Sequence, residues 1–203
     1  MPNVSRPNGF RVITSTTGAP YTGKANLYYV ASAADEILVG DVVKLGGTAT
    51  ADGIPTADLC GASDVPVGIV VGVLHSKFDP MGKMNSGSTA LDLPAAAQIA
   101  ASGAGYILVI DDPEVRMEVE TSNGTPAVTD VGLNISHANG ARTAATVTSP
   151  ATIDFGTEAT TNTLNFRLLG FVLRPDNEVG ASAKMIVGFN RHQYKGATGS
   201  TGV

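Results

Sequence analysis

The residues able to do chemistry in this chain are few and scattered. The histidines are His75, His137 and His192, set singly along the sequence, and Cys60 is the sole cysteine. No HExxH or HxH pair occurs, so a zinc site would need ligands gathered from three distant loops. One cysteine allows no internal disulfide and no cysteine-rich metal knuckle. A serine hydrolase commonly places its nucleophile on a GxSxG turn, and no such pentapeptide is present. Gly40-Asp41-Val42-Val43-Lys44 lacks the spacing and the following hydroxyl of a phosphate-binding loop. Gly103-Ala104-Gly105 leads into an apolar strand run rather than the helix a dinucleotide site requires. The one tight acidic group is Asp111-Asp112 with Glu114. Paired carboxylates can run glycosidase chemistry or hold calcium or magnesium. Asp-Asp-Pro is equally an ordinary turn, and neighbouring strand residues point to opposite faces. The turn is the reading adopted. No catalytic constellation emerges, no metal or cofactor site is expected, and His192, after the last strand, is expected at the surface or in an interface.

The frame that would carry these residues reads as β. Strand-forming runs occur at 27–30, 42–45, 67–74, 106–110, 115–119, 164–173 and 184–189, separated by Gly, Pro, Asn and Asp turn signals. Val115, Met117 and Val119 alternate with Arg116, Glu118 and Glu120, the pattern of a strand with one wet face. Short strands with glycine-marked bends, GDVVKL through GIVVGV, suit a small barrel. The candidate core is Val70, Ile107, Val109, Phe171 and Ile186. Residues 91–101, LDLPAAAQIAA, form the only credible helix, with an extended connector as its alternative. Segment 127–131 reads as weak strand, 133–148 as polar loop, and 151–163 as an exposed strand or hairpin.

The fold class expected is all-β, a small barrel or jelly-roll-like sandwich with an extended N-terminal arm. Residues 1–25 form that arm, because Pro2, Pro7 and Pro20 prevent a helix of any length. Residues 26–193 form the β-rich domain and 194–203 a flexible, glycine-rich tail. The chain has 203 residues and a net charge of −5, with 13 basic and 18 acidic side chains. That balance provides no basic field for nucleic acid. No apolar stretch approaches the roughly 20 residues of a spanning helix, and the opening lacks an apolar signal core. Synthesis in a cytoplasm is expected, and the sequons at Asn3, Asn123 and Asn134 read as chance.

Several long phrases carry a resemblance: MPNVSRPNGFR, NLYYV, GDVVKLGG with DGIPT, PVGIVVGV, YILVIDDPEVRMEVE and RLLGFVLRPDNEVGASAKMIVGFNRHQ. From Met1 to about Gln193 the chain resembles capsid decoration, or cement, proteins of short-tailed bacteriophages. The resemblance implies a non-enzymatic virion protein on the outer capsid surface. It would bind the major capsid protein, bridge capsomers, and assemble as a homo-oligomer, a trimer above others. Nucleic acid and membrane are not expected partners. Interface residues expected on this basis are Arg6, Phe10 and Arg11 in the arm, with Arg174, Asp176, Asn177 and Arg191. A tail or other virion subunit, and a virion-associated hydrolase, are the alternatives.

Overall fold

A computed structural model describes residues 3–31, 36–74, 98–99, 103–142 and 148–202. The fold is all-β. Its strands are β1 (Arg11–Ser15), β2 (Asn26–Val30), β3 (Ile37–Leu38), β4 (Val42–Ala49), β5 (Pro55–Leu59), β6 (Gly68–Leu74) and β7 (Gln98–Ile99). They continue as β8 (Gly105–Ile110), β9 (Val115–Ser122), β10 (Asn134–Ala138), β11 (Thr152–Ala159), β12 (Phe166–Phe171) and β13 (Lys184–Phe189). Strands β2-β5-β4-β6-β8 close into a five-stranded barrel. A second, six-stranded sheet runs β1-β9-β11-β10-β12-β13, and β13 also pairs with β9, so the sheet curls round its own core. Strands β3 and β7 form a separate two-stranded ribbon.

Period-two side-chain alternation explains how the two parts join. In β4 and β6, Val43 and Val70 fill the barrel while Val42 and Ile69 face the core of the second sheet. Ile107 and Val109 likewise point into the barrel, and Ile110 into the sheet core. A stretch buried on both faces must be apolar at every position, and Gly68-Ile69-Val70 is. Gly68 is required where these strands meet: a Cβ there would lie 2.2 Å from the Ile110 carbonyl oxygen.

The strand-forming runs at 42–45, 67–74, 106–110, 115–119 and 184–189 all lie on strands, with ends shifted by a few residues. Val70, Ile107 and Val109 are buried, whereas Phe171 and Ile186 are only half-buried. The register of β13 turns Met185 and Val187 inward, leaving Ile186 on the other face. Segment 127–131 contains one 3-10 turn, Val128–Asp130, not a strand. Residues 134–138, expected as loop, form the buried strand β10. Of the expected helix over 91–101, only 98–99 are described, and these are strand β7; the remainder, with His75, lies outside the described residues.

Residues 3–25 run over their own chain. Phe10 is 3% exposed, its ring stacked on Phe166 at a centroid distance of 4.7 Å. The next residues add to the sheet as β1, antiparallel to β9. The face of β9 expected to be wet is covered by this segment, and Glu120 is buried beneath it. Within the segment expected as a flexible tail, residues 199–202 are held by hydrogen bonds. Gly199 and Gly202 donate to the carbonyls of Asn162 and Thr160, and Asn134 Nδ2 donates to Ser200 O.

Candidate interaction face

Strand β9 has β1 on one edge and β13 on the other, which brings two segments distant in sequence together. Glu118 is opposite Arg11 in β1 and opposite Ile186 in β13. The loop from 172 to 183 joins β12 to β13, and Asn177 fixes its shape. Its Nδ2 donates to Val172 O (2.8 Å) and Lys184 O (2.9 Å), while its Oδ1 accepts from Lys184 N (2.7 Å). Each bond links the loop to the flanking strand ends, so Asn177 does the work of an extra ladder residue. The N-terminal segment is tied to this loop. Asn3 Nδ2 donates to Glu178 O and Ala181 O, and Asn3 Oδ1 accepts from Glu178 N (2.9 Å). Glu120 accepts from Ser5 Oγ (2.8 Å) and from Arg6 N (2.9 Å).

Between the tied segments runs a groove of about 350 Å³, lined by Asn3, Val4, Arg6, Arg174, Asp176 and Lys184 among others. A smaller notch of about 40 Å³ adjoins it, where Arg6, Arg11 and Lys184 meet Glu118 and Glu120. Arg174 clamps Glu118 with both terminal nitrogens, at 2.6 and 3.2 Å, and this bond with the carboxylate raises its pKa further. Lys184 Nζ is 4.0 Å from the same carboxylate. Glu118 and Glu120 are thus occupied by local donors. Among the described residues, neither the Arg6 nor the Arg11 side chain has a carboxylate partner. The same two segments carry three exposed apolar side chains: Leu173 at 95% exposure, Val4 at 67% and Val179 at 52%. The arrangement suits protein contact, with fixed backbone, apolar side chains to desolvate and arginines free to pair.

Of the seven residues selected from sequence, Arg6, Arg174, Asp176 and Asn177 line this groove and Arg11 lines the notch. Phe10 is buried in the core of its own chain, so it presents no side chain to a neighbour. Arg191 lies beyond the opposite end of β13, where its guanidinium donates to the carbonyls of Ala197, Thr163 and Ser63. It acts as an internal strut.

The acidic group at 111–114 is committed to structure. Asp111 accepts from Asn26 Nδ2 and, at 2.7 Å, from the Tyr28 hydroxyl, and Tyr28 in turn meets Tyr194 Oη at 2.9 Å. Asp112 caps the turn by accepting from Glu114 N (2.8 Å). Bonds from Lys195 and Thr16 hold Glu114 below the usual carboxylate range. These carboxylates serve separate partners, and among the described residues no group of three His, Cys, Asp or Glu is placed to hold a metal ion. Burial pushes the Cys60 thiol up to about 12. His192 is buried rather than at the surface, its ring edge-on to Phe189 at 4.8 Å.

A buried polar site at the barrel–sheet junction has no local sequence signal. Asp41 Oδ2 is 2.8 Å from Arg142 Nη1 and Oδ1 is 2.6 Å from Ser149 Oγ. Gly40-Asp41 reads as a turn, and Arg142 sits 101 positions away in a polar stretch. Nothing local pairs them.

Compared with known proteins, the chain matches no protein-family model, no curated protein and no solved structure.

Proposed function

We propose that this chain is a non-enzymatic structural protein that binds the outer surface of a phage icosahedral capsid and stabilises it by bridging capsomers. The observation that carries this reading is the face built from residues 3–11 and 172–184, where Arg6 and Arg11 have no carboxylate partner among the described residues and Val4 and Leu173 are exposed. An exposed leucine gains free energy only when a partner covers it, about 2 kcal/mol for complete burial. Arginines at the rim would add orientation and pair with shell carboxylates. The resemblance of the long phrases to decoration proteins supplies the partner class, the major capsid protein, and favours a homotrimer. A unit that binds only the expanded shell stabilises that state by mass action, because its free energy of binding is added to the expanded state alone.

The test is co-sedimentation of the purified protein with empty expanded shells, followed by cryo-electron reconstruction. The expected result is saturable binding at defined symmetry positions, with residues 173–179 and Arg6 at the contact. Density confined to the tail, or no binding to shells, overturns the reading. Leu173→Asp with Arg6→Glu should abolish binding while leaving thermal stability within about 1 kcal/mol, since substitutions at exposed sites rarely cost more.

A further inference from the structure

The loop joining β5 to β6 in the barrel is held to the second sheet chiefly through its own carbonyls. His137 Nε2 (2.9 Å) and Asn139 Nδ2 (3.0 Å) both bond Cys60 O. Ser136 Oγ and Asn165 Nδ2 donate to Ala62 O, Arg191 Nη1 donates to Ser63 O, and Gln193 N donates to Pro66 O at 2.9 Å. The donors come from β10 and the residue after it, from the residue before β12, and from the chain after β13. The buried His137 is one of these donors, the buried His192 lies in the chain between the donors Arg191 and Gln193, and hydrogen bonds fix the tautomers of both.

A carbonyl can only accept, so His137 Nε2 carries the proton and Nδ1 is a bare lone pair. That Nδ1 is buried with no partner among the described residues. His192 is the reverse case. Its Nδ1 accepts from Tyr194 N at 3.1 Å, so the proton sits on Nε2. These hydrogen bonds accommodate both rings as neutral imidazoles. A second proton on His137 would be a buried donor without an acceptor. On His192 it would point at the Tyr194 N–H and break the turn that positions Tyr194 against Tyr28.

The charges facing each ring do not rescue the imidazolium. Around His137 stand Asp41, Asp64 and Arg142. Asp41 is taken by Arg142 and Ser149, and Asp64 by Lys44 Nζ (2.7 Å) and Gly61 N (2.9 Å). Phe10 and Phe166 present ring edges to the remaining sides. Around His192 stand Asp111, Asp112 and Lys195, with Phe189 and Tyr194 as ring contacts. Asp111 is bound by Asn26 and Tyr28, and Asp112 by Glu114 N. Burial accordingly lowers the pKa of both histidines from the usual 6.5.

We infer that His137 and His192 form an acid-sensitive latch that holds the β5–β6 loop of the barrel against the second sheet and releases it as the pH falls. The sign follows from linkage: the unfolded or opened chain binds a proton at each histidine below about pH 6.5, and the closed state does not. Latch stability is complete above that value and declines on acidification through it. Each unit by which a folded histidine lies below 6.5 raises opening by up to about tenfold. This device is independent of the shell-binding reading, because it concerns the isolated chain.

The experiment is amide hydrogen exchange on the full chain at pH 7.0 and pH 5.0, corrected for intrinsic rates. The expected result is that the Cys60 and Val67 amides, bonded to Val42 O and Val43 O, open about tenfold or more often at pH 5.0. His137→Gln with His192→Asn keeps a donor at the first site and an acceptor at the second without a titrating ring, and its exchange should be indifferent to pH over this range. Equal protection of the natural chain at both pH values overturns the latch, as does an equal acid loss in the double variant. Should that variant not fold at pH 7.5, the histidine ring protons of the natural chain decide by NMR. Midpoints for both rings below about 6 support the latch, and an ordinary midpoint near 6.5 for either overturns it.

Discussion

Replacing Asp41 by alanine is expected to destabilise the protein by about 5 kcal/mol. The carboxylate accepts four hydrogen bonds: from Leu38 N (2.7 Å), Ser149 Oγ (2.6 Å), and Arg142 Nη1 (2.8 Å) and Nη2 (3.2 Å). Removing one partner of a buried ion pair costs roughly 3–5 kcal/mol, because a charge is left uncompensated. Here the guanidinium keeps two backbone acceptors, Glu36 O (2.6 Å) and Asn139 O (2.7 Å), which places the loss at the low end of that range. Leu38 N and Ser149 Oγ lose their acceptor as well, and each buried unsatisfied donor adds on the order of 1 kcal/mol. Asp41→Asn keeps one acceptor oxygen and the side-chain volume, and should cost less, about 2 kcal/mol. The assay is urea unfolding followed by far-UV circular dichroism, with Arg142→Met and the double variant completing a cycle. Because the partners share one site, the double variant should be less destabilised than the sum of the singles by at least about 1 kcal/mol. A loss below about 1 kcal/mol in Asp41→Ala, or additivity within about 0.5 kcal/mol, would refute the reasoning.

Three further outcomes are expected. Phe166→Ala should lower stability by about 3–5 kcal/mol in the same urea assay, since its ring meets Phe10 at 4.7 Å and Phe189 at 5.4 Å, and the cavity is walled by strands that cannot close on it. The Cys60 thiol, buried and with its pKa pushed up to about 12, should be unreactive toward a disulfide reagent at pH 8 until urea unfolds the chain. Bonds from Lys44 and from Gly61 N lower the pKa of Asp64, so its contribution is complete above about pH 4 and is lost as the pH falls through the depressed value. Lys44→Met should shrink the acid-dependent part of the melting temperature below pH 4, measured by calorimetry; the exposed position of the pair keeps the effect small.

The proposed contact face shows how far residue type alone can reach. Arg6, Arg11, Arg174, Asp176 and Asn177 can be picked out from type and setting, yet nothing in their spacing puts residues 3–11 beside 172–184. That neighbourhood exists because β9 takes β1 on one edge and β13 on the other. Phe10 and Arg191 look equally suited to an interface. Whether such a side chain turns outward is a matter of packing: Phe10 finds Phe166, and Arg191 finds the carbonyls of Ser63 and Thr163.

Read by itself, the sequence determined the all-β class and the positions of its most apolar strands, with a small barrel as one of the two architectures it allowed. Such strands announce themselves locally, since a strand buried on both faces must be apolar throughout and a half-buried one must alternate. Tertiary structure alone decided the rest. Strand β10 buries Asn134, Ser136 and His137, polar residues that are affordable inside only because Thr161, Ala62 and Cys60 present carbonyls to them. In β13 the register with β9 and β12 turned Met185 and Val187 inward and left Ile186 half-exposed, a choice its hydrophobicity could not make. The Asp41–Arg142 pair and both histidine environments likewise arise from groups far apart in sequence. A buried polar group is stabilised by whichever partner the fold delivers, and that partner leaves no mark on the residues beside it in the chain.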